Sequence, residues 1–156
     1  MRILFVCSGN LCRSPMAEVY MRHRLATDGR HGVHRIESAG TLGLEGDGAD
    51  GMAIVTAERD AGADLRPHRA QGLRRETVED ADLILVMEQR HRRHLMTFFP
   101  GHVGKIRLLS EYAPRGSGLT RGADIEDPIG RDADSFRACF AAIRSCVDSL
   151  LEHIEP

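Results

Sequence analysis

Residues 2–7 read Arg, Ile, Leu, Phe, Val, Cys, a short apolar stretch that stops at a polar turn of Ser8, Gly9 and Asn10. A continuous apolar run of strand formers is buried on both faces, the position of a central strand in a parallel sheet. Helical spacing begins directly after the turn. Ser14 fits the N-cap and Pro15 the first helical position, while Met16, Tyr20 and His23, or Ala17, Met21 and Leu25, recur at helical intervals. A strand, a tight loop and a helix at the start of the chain commit it to an α/β design.

The remaining segments continue that alternation. A second strand is expected at 34–38, followed by a glycine-rich loop over 40–51 and a helix over 49–61 ended by Gly62. A buried strand follows at 81–87, a helix at 89–98 that stops at Pro100, and a fourth strand at 105–109. In the last segment Phe136, Cys139, Phe140, Ile143, Val147, Leu150 and Ile154 share one stripe opposite Arg137, Arg144, Asp148 and Glu152, with Asp134 or Ser135 as the cap. With no internal repeat, these elements give a three-layer α/β domain spanning 1–156, with a short parallel sheet of about four strands. Ligands of such sheets bind beyond the carboxyl ends of the strands, and residues 7–13 fall there.

Composition narrows the function. The 156 residues are 42% hydrophobic, enough for one full core. The longest apolar stretches, 3–6 and 83–87, fall far short of the ~20 residues that a membrane span needs, so a cytoplasmic protein without membrane insertion is expected. A formal charge of −2 leaves no overall positive field for nucleic acid. Any anion must be held locally. Of the four cysteines, Cys7 and Cys12 lie near one end and Cys139 and Cys146 near the other, which argues against a disulfide framework in a cytoplasmic chain. No Cys-x2-Cys pair exists, and the eight histidines, His91 and His94 included, show no metal-ligand spacing, so no metal or other cofactor is indicated. Cys139 and Cys146 read as core, and the cluster from Arg90 to His94 as the solvated face of a helix.

The loop of Ser8, Gly9, Asn10, Leu11, Cys12 and Arg13 carries the chemistry. Backbone N–H groups of a loop between a strand end and a helix N-terminus can turn inward as an anion cradle, reinforced by the helix dipole. Arg13 closes the cradle with a fork matched to two phosphate oxygens. The same field favours a thiolate at Cys7, which puts a nucleophile beneath the bound phosphorus. A bare Cys-x5-Arg has roughly half a chance occurrence in a chain this rich in arginine, and requiring Gly9, Asn10, Ser14 and Pro15 as well lowers that to the order of one in a million. Asn10 is the only asparagine in the protein. It tolerates the left-handed backbone region and can bond its neighbours, which suits a residue that holds a tight loop open. Asp127 precedes Pro128, and Gly130 follows, so this carboxylate sits in a loop between the fourth strand and the last helix.

The stretch VCSGNLCRSPMAE resembles the signature of the low-molecular-weight protein tyrosine phosphatases in their bacterial form. The resemblance extends to Ser38, Ala39 and Gly40, to the run from His68 to Gln71, and to Asp127 with Pro128. It implies a four-stranded parallel sheet flanked by helices, with the phosphate-binding loop after the first strand. It also implies Cys7 as nucleophile, Arg13 as phosphate ligand, Asp127 as general acid and base, and no metal. Asn10, Ser14, Ser38 and His68 match positions that brace the loop, and Cys12 matches a redox partner of the nucleophile. A phosphoprotein is then the substrate, inorganic phosphate the product, and a cognate tyrosine kinase a partner. Leu11, Leu42, Leu44 and Ile129 are expected to rim the cradle, an apolar setting suited to an aromatic ring. Many family members carry tyrosines directly after the Asp-Pro pair, where this chain has Ile129 and Gly130. Relatives that hydrolyse phosphoarginine share that short loop, but typically have threonine in place of Leu11. Arsenate-reducing relatives need further cysteines near the third strand, and none lies between Cys12 and Cys139. A non-catalytic phosphopeptide reader on the same fold would lack the nucleophile and the acid.

Overall fold

The computed structural model describes residues 1–154. Strand β1 (Arg2–Cys7) pairs in parallel with β2 (Arg35–Gly40) on one side and β3 (Leu83–Val86) on the other, and β4 (Ile106–Leu108) lies outside β3. The order is β2-β1-β3-β4. Among the described residues five α-helices flank the sheet: α1 (Arg13–Thr27), α2 (Gly51–Ala61), α3 (Arg75–Asp80), α4 (Gln89–Phe98) and α5 (Ala133–His153). The chain leaves β1 toward one edge and returns past it to β3, so the direction of winding reverses between β1 and β3. Loops diverge at that point and leave a crevice at the carboxyl edge.

The alternation along β1 divides the core. Ile3, Phe5 and Cys7 pack with residues of α1, α2 and α5, whereas Leu4 and Val6 pack with Val78 of α3 and Leu95 of α4. The expected stripe of α5 is the inward face, with Phe136, Phe140, Ile143, Val147 and Leu150 all 1% exposed or less. Tyr20 of α1 meets Phe140 edge-on at 5.8 Å, and its hydroxyl donates to Asp148 at 2.8 Å. Such a ring pair adds about 1 kcal/mol to the area it buries.

Several element ends differ from the sequence expectation. Helix α1 begins at Arg13 after Cys12, so Ser14 is not its N-cap and Pro15 is not its first residue. Pro15 is tolerated because first-turn N–H groups have no partner within a helix. Helix α2 begins at Gly51, where the Asp50 carboxylate accepts the Met52 N–H. Asp132, not Asp134 or Ser135, caps α5, accepting the N–H and the hydroxyl of Ser135. Helix α3 was not expected. Its six residues are too few for a periodic signal, and burial of Val78 alone fixes it to the sheet.

Candidate active site

The loop of residues 7–13 leaves the central strand and turns directly into α1, so its position is set by the sheet. Asn10 adopts a left-handed backbone with φ 59°, the one positive φ outside glycine among the described residues. Its side chain is completely buried and fully bonded. The amide nitrogen donates to Ser14 Oγ at 2.8 Å and Ser38 Oγ at 2.9 Å, and the amide oxygen accepts the Gln71 N–H at 2.9 Å. His68 Nε2 donates to the Asn10 carbonyl at 2.8 Å.

Ser14 Oγ accepts from Asn10 and lies 2.9 Å from Cys7 Sγ, close enough to donate its own hydrogen to the sulfur. Ser38 passes its hydrogen to Glu18. Gly40 supplies the floor. A Cβ there would stand 2.6 Å from the Ser8 carbonyl oxygen and 3.0 Å from the Asn10 nitrogen, so no side chain fits beneath the loop.

Arg13 is 1% exposed. Its Nη1 donates to Glu88 Oε2 at 2.5 Å and to the Ile125 carbonyl at 2.7 Å. Its Nη2 lies 3.4 Å from Asp127 Oδ2. Nε and Nη2 are buried with no hydrogen-bond partner. These two nitrogens form one edge of the guanidinium, the edge that can grip two oxygens of an anion. Burial opposes the charge on Arg13, but Cys7, Glu88 and Asp127 outweigh it and raise its pKa above the ordinary value. The same contact helps Glu88: burial opposes its ionisation, and bonds from Arg13 and Arg90 overcome that and lower its pKa.

Asp127 reaches the crevice because the segment before it is stitched to the sheet, the Ile125 N–H donating to the Met87 carbonyl at 2.9 Å. Its carboxylate accepts the Ile129 N–H at 3.1 Å, which closes a turn over the crevice. Cys7, Ser8, Gly9, Leu11, Cys12, Arg13, Leu42, Leu44, Asp127 and Ile129 together line one cavity of about 280 Å³. Leu42 and Ile129 remain 68% and 46% exposed, consistent with a rim that a substrate covers. Cys7 and Cys12 are both free and buried. Burial, and then the charge of Asp50, raise the Cys12 pKa far above the ordinary thiol value, so it is a neutral thiol. Cys139 and Cys146 are core thiols, both pushed up to about 12 by burial.

Two residues of this site carry no motif. Glu88 ends the third strand's edge next to the first, and His91 lies in the stretch expected to be a solvated helix face. Arg90 and Arg93 do face solvent, but His91 is 1% exposed. Its Nδ1 accepts the Glu88 N–H at 3.1 Å, and its Nε2 lies 2.9 Å from Ser8 Oγ. Burial, and then the Arg13 charge, lower the His91 pKa to about 4. An unfolded histidine takes up its proton near pH 6.5, so between that pH and pH 4 the unfolded chain binds a proton that the folded one refuses. Stability is intact above pH 6.5 and falls below it. Urea unfolding at pH 7 and pH 4 should show wild type losing about 3 kcal/mol more than His91→Asn; equal losses would mean that the ring is not held neutral.

The model of the low molecular weight phosphotyrosine protein phosphatase family matches residues 2–156 of the chain. The low molecular weight protein-tyrosine-phosphatase Ptp of Acinetobacter johnsonii is 36% identical over 152 residues, covering 97% of this chain and 96% of that protein. Among solved structures, a low molecular weight protein tyrosine phosphatase from T. tengcongensis superimposes with a TM-score of 0.88 at 34% identity, over 99% of both chains. The YwlE arginine phosphatase from Geobacillus stearothermophilus does so with a TM-score of 0.81 at 30% identity, over 99% of this chain and 98% of that one.

Proposed function

The chain belongs to the low molecular weight phosphotyrosine protein phosphatase family, and from that premise we propose that it hydrolyses phosphotyrosine in proteins through a phosphocysteine intermediate. The observation that carries this reading is the buried edge of Arg13, whose Nε and Nη2 make no hydrogen bond and which shares a cavity of about 280 Å³ with Cys7 and Asp127. In the first step the Cys7 thiolate attacks phosphorus in line, and Arg13 with the loop amides stabilises the equatorial oxygens. Asp127 gives its proton to the leaving oxygen. In the second step the same carboxylate takes a proton from water, which releases inorganic phosphate and regenerates the thiolate. Asn10, Ser14, Ser38 and His68 hold the loop open, and Leu11, Leu42, Leu44 and Ile129 receive the substrate's ring. Once a peroxide has oxidised Cys7 to the sulfenic acid, the Cys12 thiol condenses with it, its proton leaving with the sulfenic oxygen as water, and the resulting reversible disulfide prevents further oxidation. The substrate's phosphoryl group is placed by a kinase, so a cognate tyrosine kinase is the partner reaction.

Hydrolysis of phosphoarginine is the second reading. It is favoured by a cavity with no aromatic lining, and by the similarity to the YwlE arginine phosphatase. Phosphate release from matched phosphotyrosine and phosphoarginine peptides, with no metal added, separates the two. The phosphotyrosine peptide is expected to be turned over faster, and a better phosphoarginine rate would leave the chemistry and overturn the substrate. On either substrate Asp127→Asn should lower kcat by about 10²- to 10³-fold. The loss should be smaller for p-nitrophenyl phosphate, whose leaving group departs without a proton. Compared as kcat/KM, which the shared hydrolysis of the phosphocysteine does not enter, an equal loss on all substrates would remove Asp127 from the general-acid role.

A further inference from the structure

The ring of His91 joins two parts of the site that come from different strands. Ser8 belongs to the loop after β1. Glu88 follows β3 and holds Nη1 of Arg13 at 2.5 Å. His91 touches both, on the side of the crevice where β1 and β3 part.

Hydrogen accounting fixes what each nitrogen does. The Glu88 N–H can only donate, so His91 Nδ1, 3.1 Å away, must be bare. In a neutral ring the proton is then on Nε2, which donates to Ser8 Oγ at 2.9 Å. Both nitrogens are thus used, one accepting and one donating, across a rigid five-membered ring. No water competes for either bond, since His91 is 1% and Ser8 8% exposed.

We propose that His91 is a positioning residue for phosphoryl transfer, a strap that ties the phosphate loop at Ser8 to the Glu88 backbone, and so to the anchor of Arg13. The inference rests on the proposed function. Loop amides and guanidinium must point at the same oxygens at the same moment, yet the amides belong to the loop after β1 while the guanidinium is held in its plane by Glu88, from the loop after β3. A rigid link between those loops keeps the two sets of donors in register. Because donors pre-aimed at the transition state act more strongly there than on bound substrate, the effect should fall on kcat.

The test is a double-mutant cycle with His91→Asn and Ser8→Ala. An asparagine can still accept the Glu88 N–H from the third position of the helix, but is too short to reach Ser8. Each single variant should lower kcat about tenfold with KM within about twofold, and the double variant should be no worse than either single. Orthovanadate, which adopts the geometry of the transferring phosphoryl group, should lose affinity by the same factor in calorimetry. Singles whose effects multiply to about a hundredfold would overturn the link through Ser8. So would singles that lower the melting temperature and leave kcat and vanadate affinity at wild-type values. If wild type hydrolyses neither phosphopeptide but the vanadate cycle is still non-additive, the proposed function falls and the strap stands. Additive vanadate losses would remove the strap whatever the activity.

Discussion

A Cys7→Ser variant is expected to release phosphate at no more than background, a loss of about 10⁵-fold or more in kcat, while binding inorganic phosphate at least as tightly as wild type. The two halves of this expectation have different causes. A serine hydroxyl needs a base to become a nucleophile, and among the described residues the side-chain partner at this sulfur is Ser14, a hydroxyl that is no base. Among the described residues no carboxylate or histidine is hydrogen-bonded to the Cys7 sulfur, and Asp127 is directed instead at Arg13 and Ile129. The binding half survives because the anion is held by parts that the substitution does not touch: the loop amides, the α1 N-terminus and the free edge of Arg13. Removing a negative sulfur from beneath a phosphate also removes a repulsion. Phosphate release and phosphate affinity, measured on the same preparation, therefore decide between an enzyme and a phosphate-binding module. Turnover that survives in Cys7→Ser would end the phosphocysteine mechanism.

The parts of this site that could be read in the sequence are those within one short stretch of chain. Cys7, Asn10 and Arg13 lie in a single loop whose flanking strand and helix have strong periodic signals, so their meeting follows from local geometry. Ser14 was legible as a polar residue at a helix start. Its place beside Cys7, held there by the bond from Asn10, came from the resemblance and not from spacing. Asp127 is different in kind. It is held at the crevice by bonds made across a long irregular segment, Ile125 to Met87, Asp124 to Gln89 and Arg13 to the Ile125 carbonyl, so Pro128 and Gly130 indicated its loop and the resemblance its role.

Glu88 and His91 were missed because each is ordinary in its local setting. A glutamate before a helix reads as a capping residue, and a histidine among arginines reads as surface. The usable signal was a need and not a motif. An arginine pulled into the site by its loop requires a buried carboxylate, and Glu88 stands at the carboxyl edge of the strand next to β1. Gly40 carries a similar lesson, since its requirement is set by the Ser8 carbonyl packed above it.

Arg13→Lys should lower kcat/KM by about 10⁴-fold, nearly as far as Arg13→Ala, although it keeps the charge. The guanidinium does two jobs at once. Nη1 is committed to Glu88 and the Ile125 carbonyl, and that attachment fixes the plane in which Nε and Nη2 face the cavity. A lysine has one nitrogen for both jobs. If the ammonium stays with Glu88 and the Ile125 carbonyl, the phosphate loses two donors. If it turns to the phosphate, Glu88 is left half-buried and short of its partner. Loss of one pre-aimed donor costs about 10²-fold in rate, so two give about 10⁴-fold, or about 5 kcal/mol of transition-state stabilisation. Arg13→Ala should in addition destabilise the fold by about 3 kcal/mol, because it empties the space of a fully buried side chain and leaves Glu88 with only Arg90 of its two arginine partners. Combining it with Glu88→Gln should recover much of that stability and none of the activity. Urea unfolding and kcat/KM on the same three variants test this directly. A lysine variant within tenfold of wild type would mean that charge alone matters and that the fork does not, and recovery of activity in the double variant would remove Arg13 from the chemistry altogether.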